Sequence, residues 1–146
     1  LSIAEENFYR LKNKIFVKNI YELIILASVL EKEACPNERR LISGVIYNRL
    51  ENKMRLQIDS TVIYGIKDFD GNLKKKHLLK DTPFNTYTNF GLPPKPISIP
   101  SELSLIAAAN PSESDYLFFV SKGKCSHHFS SDYKEHYENV KKYQLN

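Results

Sequence analysis

Cysteine is scarce in this chain. Of 146 residues only Cys35 and Cys125 carry a thiol, and they are far apart. That excludes a paired-cysteine metal motif and leaves one disulfide or two free thiols open. No apolar run reaches the roughly 18 residues of a membrane-spanning helix. No internal repeat and no low-complexity tract is present. The phosphate-binding P-loop and the glycine-rich dinucleotide fingerprint are missing. So is the G-x-S-x-G elbow of a serine hydrolase. The excess of positive charge is small, +4 formally. It permits nucleic acid, anionic lipid or an acidic polymer as partner, and a solvated basic surface explains it as simply. The chain opens at Leu1 without a signal-peptide pattern and reads as a domain of a longer protein.

The length is that of one compact domain, and 42% hydrophobic residues allow a sizeable core. "LSIAEENFYRLKNKIF" reads as a short amphipathic helix or leader, so residues 1–18 are set apart from a main domain at 19–146. Asn19, with Glu22 three residues on, starts a helix in the manner of a capping box. "IYELIILASVLEKEA" is apolar nearly all round, which marks a core helix, and Pro36 ends it. Residues 37–51 form a second helix with Leu41, Ile42, Val45, Ile46 and Leu50 on one face. "MRLQIDSTVIYG" reads as a short extended piece and then a helical turn, capped by Asp59 or Ser60 and closed by Gly65. "DFDGN" is a turn, and "GNLKKKHLLKD" an exposed basic arm. "TPFNTYTNFGLPPKPISIP" holds five of the seven prolines and is a long ordered loop, the kind that carries function. Ser101 caps a helix stopped by Pro111. "YLFFVSKGKCSHHFS" is a β-hairpin with a glycine-containing turn, and Ser131 or Asp132 starts a last helix. The order is α+β rather than a wound parallel sheet.

Three groups of residues could carry chemistry. Glu31 and Glu33 end the core helix. Residues two apart on a helix point about 200° apart, so the pair sits on opposite margins of the face formed by Leu23, Ala27, Leu30 and Ala34. Periodicity does not choose between them. Both could be solvated or paired with Arg39 and Arg40 across the Pro36 turn. Alternatively one is a general acid, since apolar surroundings raise a carboxyl pKa. The second group is Gln57, Asp59, Thr61, Tyr64, Asn85, Thr86 and Tyr87. Amides, hydroxyls and phenols suit a sugar-binding groove, and turn chemistry with core tyrosines would account for them equally. The third is His127 and His128, which point to opposite sides of a strand, so at most one faces a shared site. His77 and His136 add no metal spacing, so no metal and no cofactor is expected.

The stretches "ASVLEKEA…ERRLISGVIYNRLENKMRLQIDSTVIYG", "PFNTYTNFGLPPKPISIPS" and "YLFFVSKGKCSHHFS…EHYENV" together resemble the catalytic domain of the endolytic murein transglycosylase (YceG-like) family over residues 20–143. The resemblance implies a lysozyme-like or lytic-transglycosylase-like helical core with a small β-sheet or hairpin. It implies cleavage of the β-1,4 bond between N-acetylmuramic acid and N-acetylglucosamine within peptidoglycan strands, leaving 1,6-anhydro ends. The family is similar to other lytic transglycosylases, whose core helix presents a glutamate followed by a small residue, usually Ser or Thr. Glu33 takes the position and is the implied acid and base, although Ala34 departs from the hydroxyl. Gln57, Thr61, Tyr64, Asn85, Tyr87 and His127 fall in groove-lining motifs. His136 matches the last helix motif. Glu31, Glu38, Arg39 and Asn48 are supporting residues, and the Pro36 turn with its arginines would form the cleft lip. Glycan strands are the implied partner, with cell-wall synthases beside them and no nucleic acid. The membrane would be met only through an N-terminal helix outside this chain, with the catalytic region periplasmic. A lysozyme-like hydrolase or a non-catalytic wall-binding scaffold are the competing readings. If Glu33 and His127 share a cleft, Cys35 and Cys125 come near each other, and pairing then needs Cα atoms within about 7 Å.

Overall fold

The computed structural model describes residues 2–12 and 14–144. The helices are α1 (Ile3–Arg10), α2 (Ile20–Glu33), α3 (Arg39–Glu51), α4 (Asp59–Tyr64), α5 (Lys75–Leu79), α6 (Glu102–Ala109) and α7 (Tyr133–Tyr143), with a 3-10 turn over Pro36–Glu38. An antiparallel hairpin, β1 (Phe118–Gly123) with β2 (Ser126–Ser130), completes the α+β architecture.

The centre is α2. Asn19 Oδ1 accepts the Glu22 amide at 2.9 Å and starts it. Leu23 and every residue from 25 to 30 are buried, which is why the sequence there is apolar on all sides. The first segment, read as a short amphipathic helix or leader, is a helix that packs on α2 and α6. Ala4, Leu11 and Val17 join the same apolar cluster as Leu26, Ile46 and Ala108.

The proline-rich loop has no helix over 81–100, since proline removes donors and fixes φ. Ser28 of α2 pins it: the Ile97 amide donates to Ser28 Oγ at 3.0 Å, and Ser98 Oγ donates to the Ser28 carbonyl at 2.8 Å. Asn85 closes the loop's other end. Its Nδ2 donates to the Leu78 and Lys80 carbonyls, and its Oδ1 accepts the Tyr87 amide at 2.7 Å.

Two local expectations are corrected. The basic arm contains α5, held by those Asn85 bonds. Neither Asp59 nor Ser60 caps α4: Ile58 stands at the N-cap with no side-chain bond, because the Asp59 carboxylate is taken by Tyr87. The hairpin turn contains a glycine as expected, Gly123 at φ 84°, and centres on Lys124 and Cys125 at 52° and 55°. Two left-handed central residues make the primed type of turn whose twist suits a hairpin.

Cys35 and Cys125 form a disulfide, with Cα atoms 5.4 Å apart. It joins the segment just after α2 to the hairpin turn. Gly44 lies where the strap at Ser112 crosses α3. A Cβ there would collide with the Ser112 carbonyl oxygen, and the Ser112 amide is fixed by the Arg40 carbonyl at 2.9 Å. Gly44→Ala should therefore cost about 1–3 kcal/mol, read as a lower melting temperature without loss of helical circular dichroism.

Candidate active site

A cleft of about 400 Å³ opens between the C-terminal end of α2, the 56–59 segment, the hairpin and α7, lined in part by Glu33, Arg49, Gln57, Asp59, Tyr87 and His127. Each side chain is delivered by a different element. Glu33 is the last residue of α2. Gln57 precedes α4 with φ 52°, a left-handed conformation uncommon for a residue with a Cβ. Its amide donates to the Thr86 carbonyl at 3.2 Å, and the next amide, of Ile58, donates to Thr86 Oγ1 at 2.9 Å. Thr61 Oγ1 meets Thr86 Oγ1 at 2.8 Å and donates to the Ile58 carbonyl at 2.7 Å. This buried knot holds Gln57 and Asp59 at the rim. Tyr87 reaches across to donate its hydroxyl to Asp59 Oδ1 at 2.5 Å.

The two glutamates of α2 have opposite surroundings. Glu31 Oε1 accepts the Ser101 amide and the Ser104 hydroxyl, both at 2.8 Å. These donors hold its carboxyl below the ordinary value of 4.5. Among the described residues Glu33 accepts a long hydrogen bond from the Ser60 amide, at 3.3 Å. Burial pushes its carboxyl up, Ser60 opposes this, and the Asp59 charge adds to it. Burial also raises the Tyr87 phenol, helped by Asp59. His136 is lowered by burial and by the Arg49 charge. Its Nδ1 is enclosed without a hydrogen-bond partner among the described residues.

The expected site residues divide. Glu33, Gln57, Tyr87 and His127 meet at the cleft. Thr61 and Asn85 are fully buried and act beneath it. Tyr64 is half exposed and packs edge-on against Phe84 at 4.9 Å, away from the cleft. Of the supporting residues, Asn48 Nδ2 donates to the Ser114 and Tyr116 carbonyls, steering the chain into β1. Glu38 grips His127. Arg39 and Arg40 do not form the cleft lip. Arg39 turns back to the Pro36 carbonyl, and Arg40 Nε donates to the Asn110 carbonyl at 2.7 Å on another face. His127 and His128 do point apart: His128 meets Glu135 of α7.

Arg49 was not anticipated. Its Nε donates to the Leu117 carbonyl at 2.6 Å, its Nη1 to the Arg55 carbonyl at 2.7 Å, and its guanidinium lies 5.0 Å from the Phe118 ring centroid. It ties α3 to both walls of the cleft. A basic residue next to Asn48 in a helix gave no signal of this, because its partners are backbone carbonyls. Cys35, Glu38 and His127 lie close enough to suggest a metal cluster, but the Cys35 sulfur is consumed by the disulfide, leaving two donors.

The YceG-like family model matches residues 3–142. The chain belongs to that family. It is 39% identical over 133 residues to the endolytic murein transglycosylase of Bacillus subtilis (strain 168), covering 90% of this chain and 36% of that protein. It is 32% identical over 151 aligned residues to the endolytic murein transglycosylase of Streptococcus pneumoniae (strain D39), covering 96% of this chain and 27% of that one. The crystal structure of a YceG-like protein from Listeria monocytogenes superposes with a TM-score of 0.78 at 40% identity, over 84% of this chain and 40% of that one. The chain thus spans roughly a third of the relatives it matches. No helix among the described residues is long and apolar enough to cross a membrane.

The contrast between the glutamates predicts opposite pH effects on stability. Glu33 keeps its proton in the fold at pH values where the unfolded chain has lost it, so the fold loses stability as pH rises above 4.5. Glu33→Gln should melt higher than the parent at neutral pH, with the gap closing toward about pH 4. Glu31 has the reverse sign: its contribution is present above 4.5 and lost as pH falls through the depressed value. Glu31→Gln should melt lower at neutral pH, with that gap also closing in acid. Melting curves across pH read both.

Proposed function

We propose that this chain is the catalytic part of a lytic transglycosylase that cuts within peptidoglycan strands, with Glu33 as acid and then base. The observation that carries the reading is the environment of Glu33: a carboxyl pushed up by burial at the wall of an open cleft. Such a group can be protonated near neutrality and still be a useful base once it has given its proton away. The names of the relatives support the substrate class.

The reaction requires one proton donor and no water. Neutral Glu33 protonates the glycosidic oxygen between N-acetylmuramic acid and N-acetylglucosamine as that bond breaks. The muramyl 6-hydroxyl attacks the anomeric carbon, and its proton returns to the carboxylate, closing a 1,6-anhydro ring. Gln57 and Tyr87, set at the rim by the Thr86 knot and by Asp59, are placed to orient sugar hydroxyls, and orientation of the attacking group accounts for much of such a rate. The reading places the chain's work at the cell wall.

A hydrolase is the second reading, and one observation favours it. Asp59 lines the same cleft and acts on Glu33 electrostatically, and two carboxylates are what an ordinary glycosidase uses. Mass spectra of digested glycan strands separate the two. Anhydro-muramyl ends, each one water lighter than a reducing end, are expected from the parent, and Glu33→Gln should lower turnover by at least about 100-fold. Reducing ends would replace the transglycosylase reading with the hydrolase. Normal turnover by Glu33→Gln would overturn the assignment of Glu33, and intact strands with the parent would favour a binding module.

A further inference from the structure

Glu38 holds His127 at two points. Its Oε2 accepts the His127 backbone amide at 3.0 Å, and its Oε1 lies 3.0 Å from the ring Nδ1. The side chains are 15% and 8% exposed respectively. A carboxylate can only accept, so it assigns the ring proton to Nδ1 and leaves the lone pair on Nε2. That nitrogen has no hydrogen-bond partner among the described residues. Nor is it one of the enclosed, unpartnered atoms, in contrast to Nδ1 of His136. The lone pair is therefore open to the cleft that His127 lines together with Glu33.

The surroundings keep it there. Phe119 stands edge-on to the His127 ring at 5.4 Å between centroids. Ser121 pairs with His127 across the hairpin. The disulfide joins Cys35, two residues after Glu33, to Cys125, two residues before His127. A carboxylate that orients a histidine whose other nitrogen is left free at a cleft is the arrangement of a general base with its orienting partner.

We propose that His127 is a second proton-handling residue of this cleft, positioned by Glu38, and that its Nε2 takes the proton of the attacking hydroxyl. The proposal rests on the transglycosylase reading. The proton of Glu33 goes to the glycosidic oxygen as the bond from that oxygen to the anomeric carbon breaks. The muramyl O6 forms the new bond to the same carbon, and its proton passes to Nε2. The imidazolium is stabilised by the Glu38 carboxylate on Nδ1. When the products leave, the imidazolium returns its proton through the cleft water to the Glu33 carboxylate. No net proton is gained or lost, and no water is consumed. The muramyl proton thus still ends on the Glu33 carboxylate, with His127 as its relay.

The test is steady-state turnover of purified glycan strands by the complete protein. His127→Ala should lose about 100-fold or more in kcat with little change in KM, and added imidazole should restore about 10-fold or more of the loss by filling the vacated space. His127→Asn, which keeps an amide donor for Glu38, guards against a folding defect and should show the same kcat loss with the parent melting temperature. Glu38→Gln should fall less than His127→Ala and should not respond to imidazole, because the ring is present and only misplaced. Retention of kcat by His127→Asn, or a loss carried by KM with no imidazole rescue, overturns the proposal. Glu33→Gln serves as the reference. If it is inactive while His127→Asn is unimpaired, this proposal alone fails. If Glu33→Gln turns over normally, the reading beneath it fails instead.

Discussion

The burial of α2 is the constraint on which the rest depends. A helix enclosed on nearly every side has no room for a charged residue along its length, and its first carboxylates after Glu22 appear only as it leaves the core. Each is met by the start of another helix. Glu31 meets α6 through Ser101 and Ser104, and Glu33 meets α4 through Ser60. Donor number against desolvation then decides the charge state. Two short donors win over partial burial at Glu31. At Glu33 one long donor does not, and the carboxyl is held toward its neutral form. One carboxylate is a strut and the other is held toward its protonated form, although they stand two apart on the same turn.

Around that helix the polar residues sort into holders and rim. Ser28, Thr61, Asn85 and Thr86 are buried and spend their hydrogen bonds on backbone groups or on one another. Buried polar atoms must be satisfied, and here satisfying them shapes the loop that carries Tyr87 and the left-handed turn that carries Gln57. Arg49 does the same from α3, using a charge to bind the carbonyls of Leu117 and Arg55. Hydrogen bonds to charged groups are stronger than neutral ones, which suits a residue that must hold two walls of a cleft.

The hairpin is attached rather than embedded. Phe119, Ser121 and His127 share one face and line the cleft, to which Val120 and His136 of α7 also contribute, and Phe118 of the other face stacks on His136 at 4.8 Å. The disulfide and the Glu38–His127 pair fasten its tip to the end of α2. The distance between Glu33 and the hairpin is thus set by a covalent tie and a paired hydrogen bond, not by packing alone.

Local information in the sequence was enough for the elements. Asn19, Ser101 and Asp132 are N-caps because short polar side chains satisfy free helix amides within three residues. The unbroken apolar run identified the core helix, and strand alternation separated His127 from His128. Those are all short-range effects. The motif pattern identified the family, and the resemblance pointed to Glu33 as the expected acid where periodicity had left it level with Glu31. Only the tertiary structure decided the rest, because it depends on contacts between residues far apart in the chain. Ser60 and Ser104 distinguish the two glutamates from distances of 27 and 73 residues. Asn85 and Thr61 read as groove residues because their chemistry suits sugars, yet burial commits them to the backbone. Glu38 finds His127 across 89 residues, and no local rule could have joined a carboxylate after a proline turn to a histidine on a strand.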